Sequence, residues 1–315
     1  MDIALEVKNV SKNYGHFTAL NNVSLAVPKG SVYGLLGPNG AGKTSLIRII
    51  NQITLPDSGR IYFDNEELLP HHVHQIGYLP EERGLYKSMK VGEQVLYLAQ
   101  LKGMTIADAK TKLRYWFEKF EITDWWHKKV QELSKGMAQK IQFIVTVLHD
   151  PKLLIFDEPF SGFDPINAVL IKDEILKLRD RGATIIFSTH RMESVEEMCD
   201  TIALIDNSNK ILEGKLIDIK EEFKNNRFEI GLLCNHKEQL FDRIRSQFNI
   251  EEIDTTSFNA DIKIAATLKQ GETSTELINY LNNKAQIIHF TEIIPGANEI
   301  FIKAVSDNDL GKVKS

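Results

Sequence analysis

The sequence predicts an α/β protein with three parts: a core built on a mainly parallel sheet, a helical insertion, and a small α+β domain at the carboxyl end. The glycine-rich stretch GLLGPNGAGKTS at 34–45 separates an apolar run typical of a buried strand from one typical of a helix. Strand and helix patterns then alternate between 153 and 205, which favours a parallel sheet covered on both faces. A new alternation begins near residue 220 and indicates the last part.

The composition is that of a soluble globular chain of about two domains, since 315 residues include 43% hydrophobic and 26% charged side chains. The net charge of −5 gives no overall attraction to nucleic acid or anionic lipid. Cys199 and Cys234 lie far apart and form no metal or redox motif. We therefore expect a reducing cytoplasm rather than a disulfide framework.

No part of the sequence reads as a membrane span or a signal peptide. No apolar run approaches the roughly 18 to 20 residues that cross a bilayer. The first residues, MDIALE, lack the basic start and apolar stretch of a signal peptide. Any membrane-embedded part of a working assembly is expected to come from another chain.

The first predicted domain covers 1–219 and includes a helical subdomain at about 88–149. Short apolar runs predict strands, with an edge strand first, at 3–10, 23–27, 31–36, 60–64 and 75–79. Helical spacing then predicts helices at 91–102, 107–120 and 137–149. Strands return at 153–156, 184–187 and 201–205, with helices at 166–180 and 191–199 and a hairpin turn at 207–209.

The second predicted domain covers 220–315, and its charged first residues, 220–227, suggest a linker. The expected strands lie at 228–234, 250–257, 260–267 and 286–293, and the expected helices at 237–248 and 273–283. This order resembles a ferredoxin-like β-α-β-β-α-β unit. Apolar residues at 300–305 suggest a closing helix.

The glycine-rich stretch matches the phosphate-loop pattern G-x-x-x-x-G-K-[ST] in full at 37–44. Glycines let several backbone N–H groups face anionic oxygens, and the following helix adds the positive end of its dipole. Lys43 is expected to reach the β- and γ-phosphates, and Thr44 to ligate Mg²⁺. The alternative is a glycine-rich turn with a surface lysine. The predicted nucleotide contacts are Gly37, Asn39, Gly40, Ala41, Gly42, Lys43, Thr44 and Ser45.

A second acidic motif follows the apolar strand at 153–156. Asp157 and Glu158 stand at its carboxyl end, which in an α/β sheet lies beside the phosphate loop. Asp157 would hold Mg²⁺ through water, and Glu158 would take a proton from the attacking water. An acidic pair after a strand, taken alone, is more often a solvated turn.

Four further motifs resemble those of ATP-binding cassette (ABC) proteins, and together with the phosphate loop they lie in the family's order. The stretch LSKGMAQK at 133–140 resembles the signature sequence, and SGFD at 161–164 resembles the D-loop. His190 matches the switch histidine, and Tyr14, in KNYG, matches the aromatic residue that stacks on adenine. The resemblance covers about 3–215 and implies a phosphate-loop NTPase core of the ABC type.

The resemblance also implies roles for the residues in these motifs. Tyr14 would stack on adenine, although Phe17 is a rival and either ring could be core. His190 would contact the γ-phosphate and orient Glu158 and water. On its own, His190 would more often be a structural histidine.

The signature sequence is implied to act in trans. In this family two cassettes close head to tail around two ATP molecules. Ser134 and Gly136, at the start of a predicted helix, would contact the γ-phosphate held by the opposite subunit. Asp164 would lie across that interface.

Two departures from the family pattern stand out. The signature usually has a second glycine, besides the one matched by Gly136, where this chain has Lys135, which would either clash or add positive charge near phosphate. Glu81 occupies the place of the Q-loop glutamine, so it is either an anionic contact to Mg²⁺ or part of a surface acidic loop. The segment around it, PEERGLY at 80–86, looks like transporter ATPases of the sodium and drug export branch. That branch carries an extra C-terminal domain.

The resulting hypothesis is that the chain is the ATP-binding and ATP-hydrolysing subunit of an ABC transporter. It would use ATP and Mg²⁺, pair with a second copy or a related ATPase subunit, and drive a separate integral membrane permease, as an exporter, from the cytoplasmic face of the cell membrane. Residues 85–86 and Met89 are either the permease contact or subdomain core.

Two other hypotheses remain open at the level of sequence. A soluble ABC ATPase acting on ribosomes or nucleic acid is the alternative. Such proteins usually carry two cassettes or a long coiled-coil insertion, and an acidic chain with one cassette makes a nucleic-acid partner unexpected. A binding module without hydrolysis is the third, and the presence of both Lys43 and Glu158 argues against it.

Overall fold

A computed structural model describes residues 2–82, 84–269 and 271–313, with side chains described up to residue 308. The chain forms two compact units, Met1–Leu216 with Lys303–Ser315, and Ile217–Ile302. The boundary at 216/217 falls three residues before the one predicted at 219/220. The last residues of the chain, which are predicted to lie in the second domain, belong to the first unit. Among the described residues, no helix is both long and apolar enough to cross a membrane.

The first unit alternates strands and helices in the predicted order. In chain order its elements, the last of which reaches into the second unit, are β1 Ile3–Tyr14, β2 Phe17–Pro28, β3 Val32–Leu36, α1 Lys43–Ile50, β4 Ser58–Phe63, β5 Glu66–Glu67, β6 Ile76–Leu79, α2 Val91–Leu101, α3 Ile106–Lys119, α4 Lys135–Val147, β7 Leu153–Asp157, α5 Pro165–Asp180, β8 Thr184–Ser188, α6 Met192–Met198, β9 Thr201–Asp206, β10 Asn209–Lys215 and α7 Leu216–Glu222. The helix predicted at 166–180 and the turn after β9 are confirmed. The expected linker at 220–227 is wrong in its first part, because α7 occupies it.

An antiparallel sheet covers one side of the first unit, with strand order β2-β1-β4-β5. The expectation of an edge strand at 3–10 is wrong, because β1 pairs with β2 on one side and with β4 on the other. Several register shifts between β1 and β2 disturb the alternation of inward and outward side chains. The sequence pattern is weak for that reason.

A six-stranded sheet with order β10-β9-β3-β8-β7-β6 positions the functional residues. Only β10 is antiparallel to its neighbour, and the other five strands are parallel. Every residue of β3, β7 and β8 is buried, which explains their unbroken apolar runs. Because β3, β8 and β7 are adjacent and parallel, their carboxyl ends meet at one edge of the sheet.

The predicted helical subdomain is present and consists of α2, α3 and α4, with short 3₁₀ turns at Thr123–Trp125 and Val130–Glu132. Aromatic rings join it to the sheet. Trp116 on α3 packs against Phe143 on α4 at 5.9 Å, and Phe143 stacks on Phe156 of β7 at 5.8 Å. The subdomain therefore rests directly on the strand that leads to Asp157.

A half-buried histidine marks another junction of this subdomain with the sheet. His149 follows α4, and its Nε2 donates to the Ile76 carbonyl at 3.3 Å, where Lys102 Nζ also donates at 2.8 Å. Burial lowers the pKa of His149 to about 4. Between pH 6.5 and 4 the unfolded chain therefore binds a proton that the folded chain excludes, so stability falls as the pH falls.

We expect His149→Gln to flatten this part of the stability profile. Glutamine can donate to the same carbonyl but does not titrate, so it removes a slope of up to about 1.4 kcal/mol per pH unit between pH 4 and 6.5. Urea unfolding at pH 4.5, 5.5 and 6.5 measures this. His127→Gln, at an exposed position, is the matched control and should follow the parental curve. Parallel profiles for His149→Gln and the parent would contradict the prediction.

The second unit has the topology of a ferredoxin-like fold, and this expectation is confirmed. Its elements are β11 Arg227–Leu233, α8 Lys237–Arg245, β12 Asn249–Glu252, β13 Ile262–Thr267, α9 Ser274–Asn282, β14 Gln286–Glu292 and the start of α10 Ala297–Val313. The strand order is β12-β13-β11-β14, and every pair is antiparallel. Ile230, Leu232 and Ile264 pack with Leu277 and Leu281 of α9 in its core.

The end of α10 belongs to the first unit. There the Asn308 side-chain amide donates to Asp206 Oδ2 at 3.2 Å, at the buried end of β9. The adjoining β9–β10 turn reaches the glycine-rich loop, since Ser208 N–H donates to the Ala41 carbonyl at 3.2 Å. The last part of the chain thus supports the strand end that lies beside that loop.

Candidate nucleotide site

The glycine-rich loop connects β3 to α1 as the sequence predicts, and it is fixed by its own backbone. Ala41 N–H donates to Pro38 O at 3.2 Å, and Leu46 N–H donates to Gly42 O at 3.0 Å. Gly42 has a φ of +116°, and a Cβ built on it would lie 2.2 Å from the Ala19 carbonyl oxygen. Only glycine therefore allows the loop to press against β2 here.

Lys43 begins α1 and folds back onto the loop. Its ammonium donates to Gly37 O at 2.8 Å and to Pro38 O at 3.1 Å, and the residue is 8% exposed. Burial lowers the pKa of this ammonium, while the carboxylates of Glu158, Asp157 and Glu81 oppose the shift. The lysine is thus a buried cation facing a group of acids.

A cavity of about 170 Å³ opens beside this lysine. Backbone and side chains of the loop form one wall, and carboxylates from the ends of β6 and β7 form the other. Its lining residues are Phe17, Ala19, Asn39, Gly40, Gly42, Lys43, Thr44, Ser45, Glu81, Asp157 and Glu158. Most of the predicted contacts of the loop are therefore brought together with Asp157, Glu158 and Glu81.

Glu158 is held in one orientation by the end of β8. Its backbone adopts a left-handed φ of +49°, and its N–H donates to Ser188 O at 2.9 Å. Glu158 Oε1 accepts from the His190 N–H at 2.9 Å and lies 2.6 Å from His190 Nδ1, and Oε2 accepts from Thr189 Oγ1 at 3.3 Å. Because a carboxylate only accepts, Nδ1 of His190 carries the shared proton and Nε2 is left as the outer ring nitrogen.

The oxygen ligands expected for Mg²⁺ lie in this cavity. Thr44, Asp157 and Glu81 all line it, and a hydroxyl with two carboxylates suits a small hard cation. Burial raises the pKa of the Asp157 carboxyl, and the carboxylates of Glu81 and Glu158 raise it further. A divalent cation would relieve this crowding of acids, so the donor set fits Mg²⁺.

Tyr14 and Phe17 face each other across the β1–β2 hairpin. Both rings are exposed, at 45% and 57%, so neither is core. Phe17 lines the cavity, whereas Tyr14 lies outside its lining and under the Lys12 ammonium, 5.5 Å from the ring centroid. Phe17, the rival that the sequence left open, is thus a lining residue of the site. Thr189 is a site residue that the motif assignments missed, and only its closeness to His190 in sequence signals it.

Ser134, Gly136 and Asp164 do not line the cavity. Ser134 caps α4, where its Oγ accepts from Met137 N–H at 3.3 Å. Asp164 caps α5, where it accepts from the Asn167 N–H at 3.0 Å, a bond that lowers the pKa of this carboxyl. Within one chain these two residues serve as helix caps, and their roles in trans stay predictions.

A parallel sheet that brings a glycine loop, a buried lysine and a carboxylate at the neighbouring strand end into one cavity defines a phosphate-loop NTPase. Comparison with known proteins agrees. The family model described as ABC transporter matches residues 20–161. The model described as ATP-binding protein DrrA1-3-like, C-terminal domain, matches residues 214–305.

Relatives that match from 69% to 96% of this chain extend this result. The uncharacterized ABC transporter ATP-binding protein YhaQ of Bacillus subtilis (strain 168) is 40% identical over 96% of this chain and 98% of its own. The linearmycin resistance ATP-binding protein LnrL of the same organism is 30% identical over 83% of this chain and 85% of its own. The lantibiotic transport ATP-binding protein SrtF of Streptococcus pyogenes is 34% identical over 69% of this chain and 90% of its own.

Solved structures share the fold. The ATP binding subunit of an ABC transporter has a TM-score of 0.66 at 30% identity, over 70% of this chain and 93% of that chain. A nucleotide-free ATP-binding cassette from an ABC transporter has a TM-score of 0.60 at 27% identity, over 68% of this chain and 91% of that one. The chain therefore belongs to the family of ABC transporter ATP-binding proteins, and its enzymatic activity is that of an ATPase.

Proposed function

We propose that this chain is the energy-supplying subunit of an exporter, which closes head to tail with a second copy or a related ATPase subunit and drives a separate membrane permease from the cytoplasmic face. The main support for this proposal is that the nucleotide site of a single chain is incomplete. One chain supplies the phosphate loop and Glu158, whereas Ser134 and Asp164 lie outside its cavity. The relatives named for linearmycin resistance and lantibiotic transport support export.

Hydrolysis follows from the arrangement of the chain's own residues. The loop amides and the Lys43 ammonium, released from Gly37 O and Pro38 O, bind the β- and γ-phosphates. Glu158, held by Thr189 and His190, accepts a proton from the attacking water. Bound Mg²⁺, held by Thr44, Asp157 and Glu81, would neutralise charge on the phosphates.

A surface near the helical subdomain suits the permease. Tyr86 is 54% exposed and packs edge-on against Tyr97 at 6.5 Å, so it is not core. Leu85 and Met89 are half-buried, and Arg83 of the same segment lies outside the described residues. A groove of about 280 Å³ beside this segment is lined by Leu85, Lys87, Val130, Gln131, Leu133 and Ala138. A lining of mainly apolar residues with two polar ones suits a short amphipathic helix.

Affinity isolation of the tagged full chain from solubilised membranes tests the proposal. A multi-span membrane protein should co-purify, and Tyr86→Asp should lose it without loss of ATP hydrolysis. Glu118→Asp, at an exposed position of α3, is the matched control and should retain it. Recovery of ribosomes or RNA in place of a membrane protein would overturn the transporter assignment in favour of the soluble ABC ATPase.

A further inference from the structure

The amino terminus of α4 and the segment after Glu158 meet within one chain. The Gln139 side-chain amide donates to Pro159 O at 3.2 Å, and Gln139 is 8% exposed. A Cβ built on Gly136 would lie 3.8 Å from the Gly162 carbonyl oxygen. The two segments that carry the signature sequence and SGFD are therefore adjacent before any second copy binds.

Lys135 makes the closest approach between them. A Cβ built on Gly162 would lie 2.4 Å from Lys135 Cε, 2.8 Å from its Cδ and 3.0 Å from its Nζ. The outer part of the lysine side chain thus lies over Gly162, and a Cβ at 162 would require it to move. Gly162 also has a φ of +91°, which favours glycine.

The contact involves the outer stem of the lysine together with its ammonium. Lys135 is an exposed residue that begins α4. A cation in the first turn of a helix is unfavourable for the helix dipole. Packing of its last two methylene groups over the glycine backbone accounts for the contact, and the ammonium lies beside them.

The position of the 159–164 segment matters because it directly follows Glu158, the proposed proton acceptor. Ser161 N–H donates to Glu158 O at 3.1 Å, and Phe163 N–H donates to Phe160 O at 3.3 Å. These two turns connect the proton acceptor to the cap of α5 at Asp164. A side chain that packs on Gly162 therefore limits the movement of Glu158 and of Asp164.

We propose that Lys135 is a positioning residue, whose stem packs on Gly162 and holds the 159–164 segment against α4 for hydrolysis. The role in hydrolysis rests on the proposed function, but the contact does not. The lysine that replaces a glycine of the usual signature thereby contacts the glycine at 162.

Hydrogen exchange of the nucleotide-free full chain tests the contact directly. Lys135→Ala should speed exchange in peptides covering 159–164 about fivefold or more, and Lys135→Met, which keeps an unbranched stem without charge, should keep the parental rate. Lys110→Ala removes an exposed lysine from α3 and is the matched control. Unchanged exchange in Lys135→Ala, or equal acceleration in Lys135→Met, would overturn the contact.

Steady-state hydrolysis of MgATP then tests the role. Lys135→Ala should lower kcat about fivefold with KM for ATP unchanged, and Lys135→Met should restore it. Gly162→Ala should cost less in the Lys135→Ala background than in the parent, because the clash with the lysine is gone. Faster exchange with an unchanged kcat would overturn the positioning role alone. An inactive parent would instead refute the proposed function, and the exchange result would still decide the contact.

Discussion

Glu158→Gln is expected to stop ATP turnover while leaving ATP binding intact. Glutamine keeps the oxygen that accepts from His190 N–H, and its amide can donate to Thr189 Oγ1, so the local geometry is retained. What it loses is the ability to accept a proton from water. Removing a general base costs about 100-fold or more in kcat.

Phosphate release and the oligomeric state measured with MgATP together check this prediction. Unhydrolysed ATP should hold two chains together, so the variant should elute as a dimer with ATP and as a monomer without it. Glu118→Gln makes the same chemical change on the exposed face of α3 and should hydrolyse ATP at the parental rate. Turnover at the parental rate in Glu158→Gln would show that another group accepts the proton.

Lys43→Ala is expected to weaken ATP binding about tenfold to 100-fold, because hydrogen bonds to charged groups contribute about 1.5–3 kcal/mol and each 1.4 kcal/mol is about tenfold. The variant removes the cation that faces three carboxylates, so the triphosphate would also meet uncompensated negative charge. Titration calorimetry with ATP and Mg²⁺ measures the change.

Because Lys43 also bonds two loop carbonyls, the variant needs a check of its fold. Thermal unfolding followed by circular dichroism separates lost binding from lost structure. Lys172→Ala, which removes the partner of the surface Glu197, is the control for a lysine outside the cavity. Equal ATP affinity in Lys43→Ala and the parent would remove the lysine from the phosphate contacts.

The core of the site was predictable because its motifs fix both residue type and spacing. The pattern at 37–44 requires a strand before it and a helix after it, and β3 and α1 have those places. The continuous apolar run at 153–156 could only be a buried strand, so Asp157 and Glu158 had to stand at its end.

What sequence reasoning missed depends on tertiary contacts that leave no local pattern. Phe17 and Tyr14 are both aromatic, exposed and paired across the hairpin, and only the folded structure shows that Phe17 lines the cavity and Tyr14 does not. The strand expected at 250–257 ends at Glu252, and Phe258 beyond it stacks on His289 over Gly231. The sequence shows an aromatic residue at 258, but it does not show that His289 is its partner.

The bond between Asn308 and Asp206 has a practical consequence for dissecting this protein. The ATPase unit is discontinuous in sequence, so a single cut after Leu216 does not release it whole. Such a truncation would leave Asp206, which is 3% exposed, without the Asn308 amide, beside the turn that supports Ala41. Loss of activity in a chain truncated after Leu216 would therefore reflect damage to the ATPase unit. Such a loss would not by itself show that a regulatory domain had been removed.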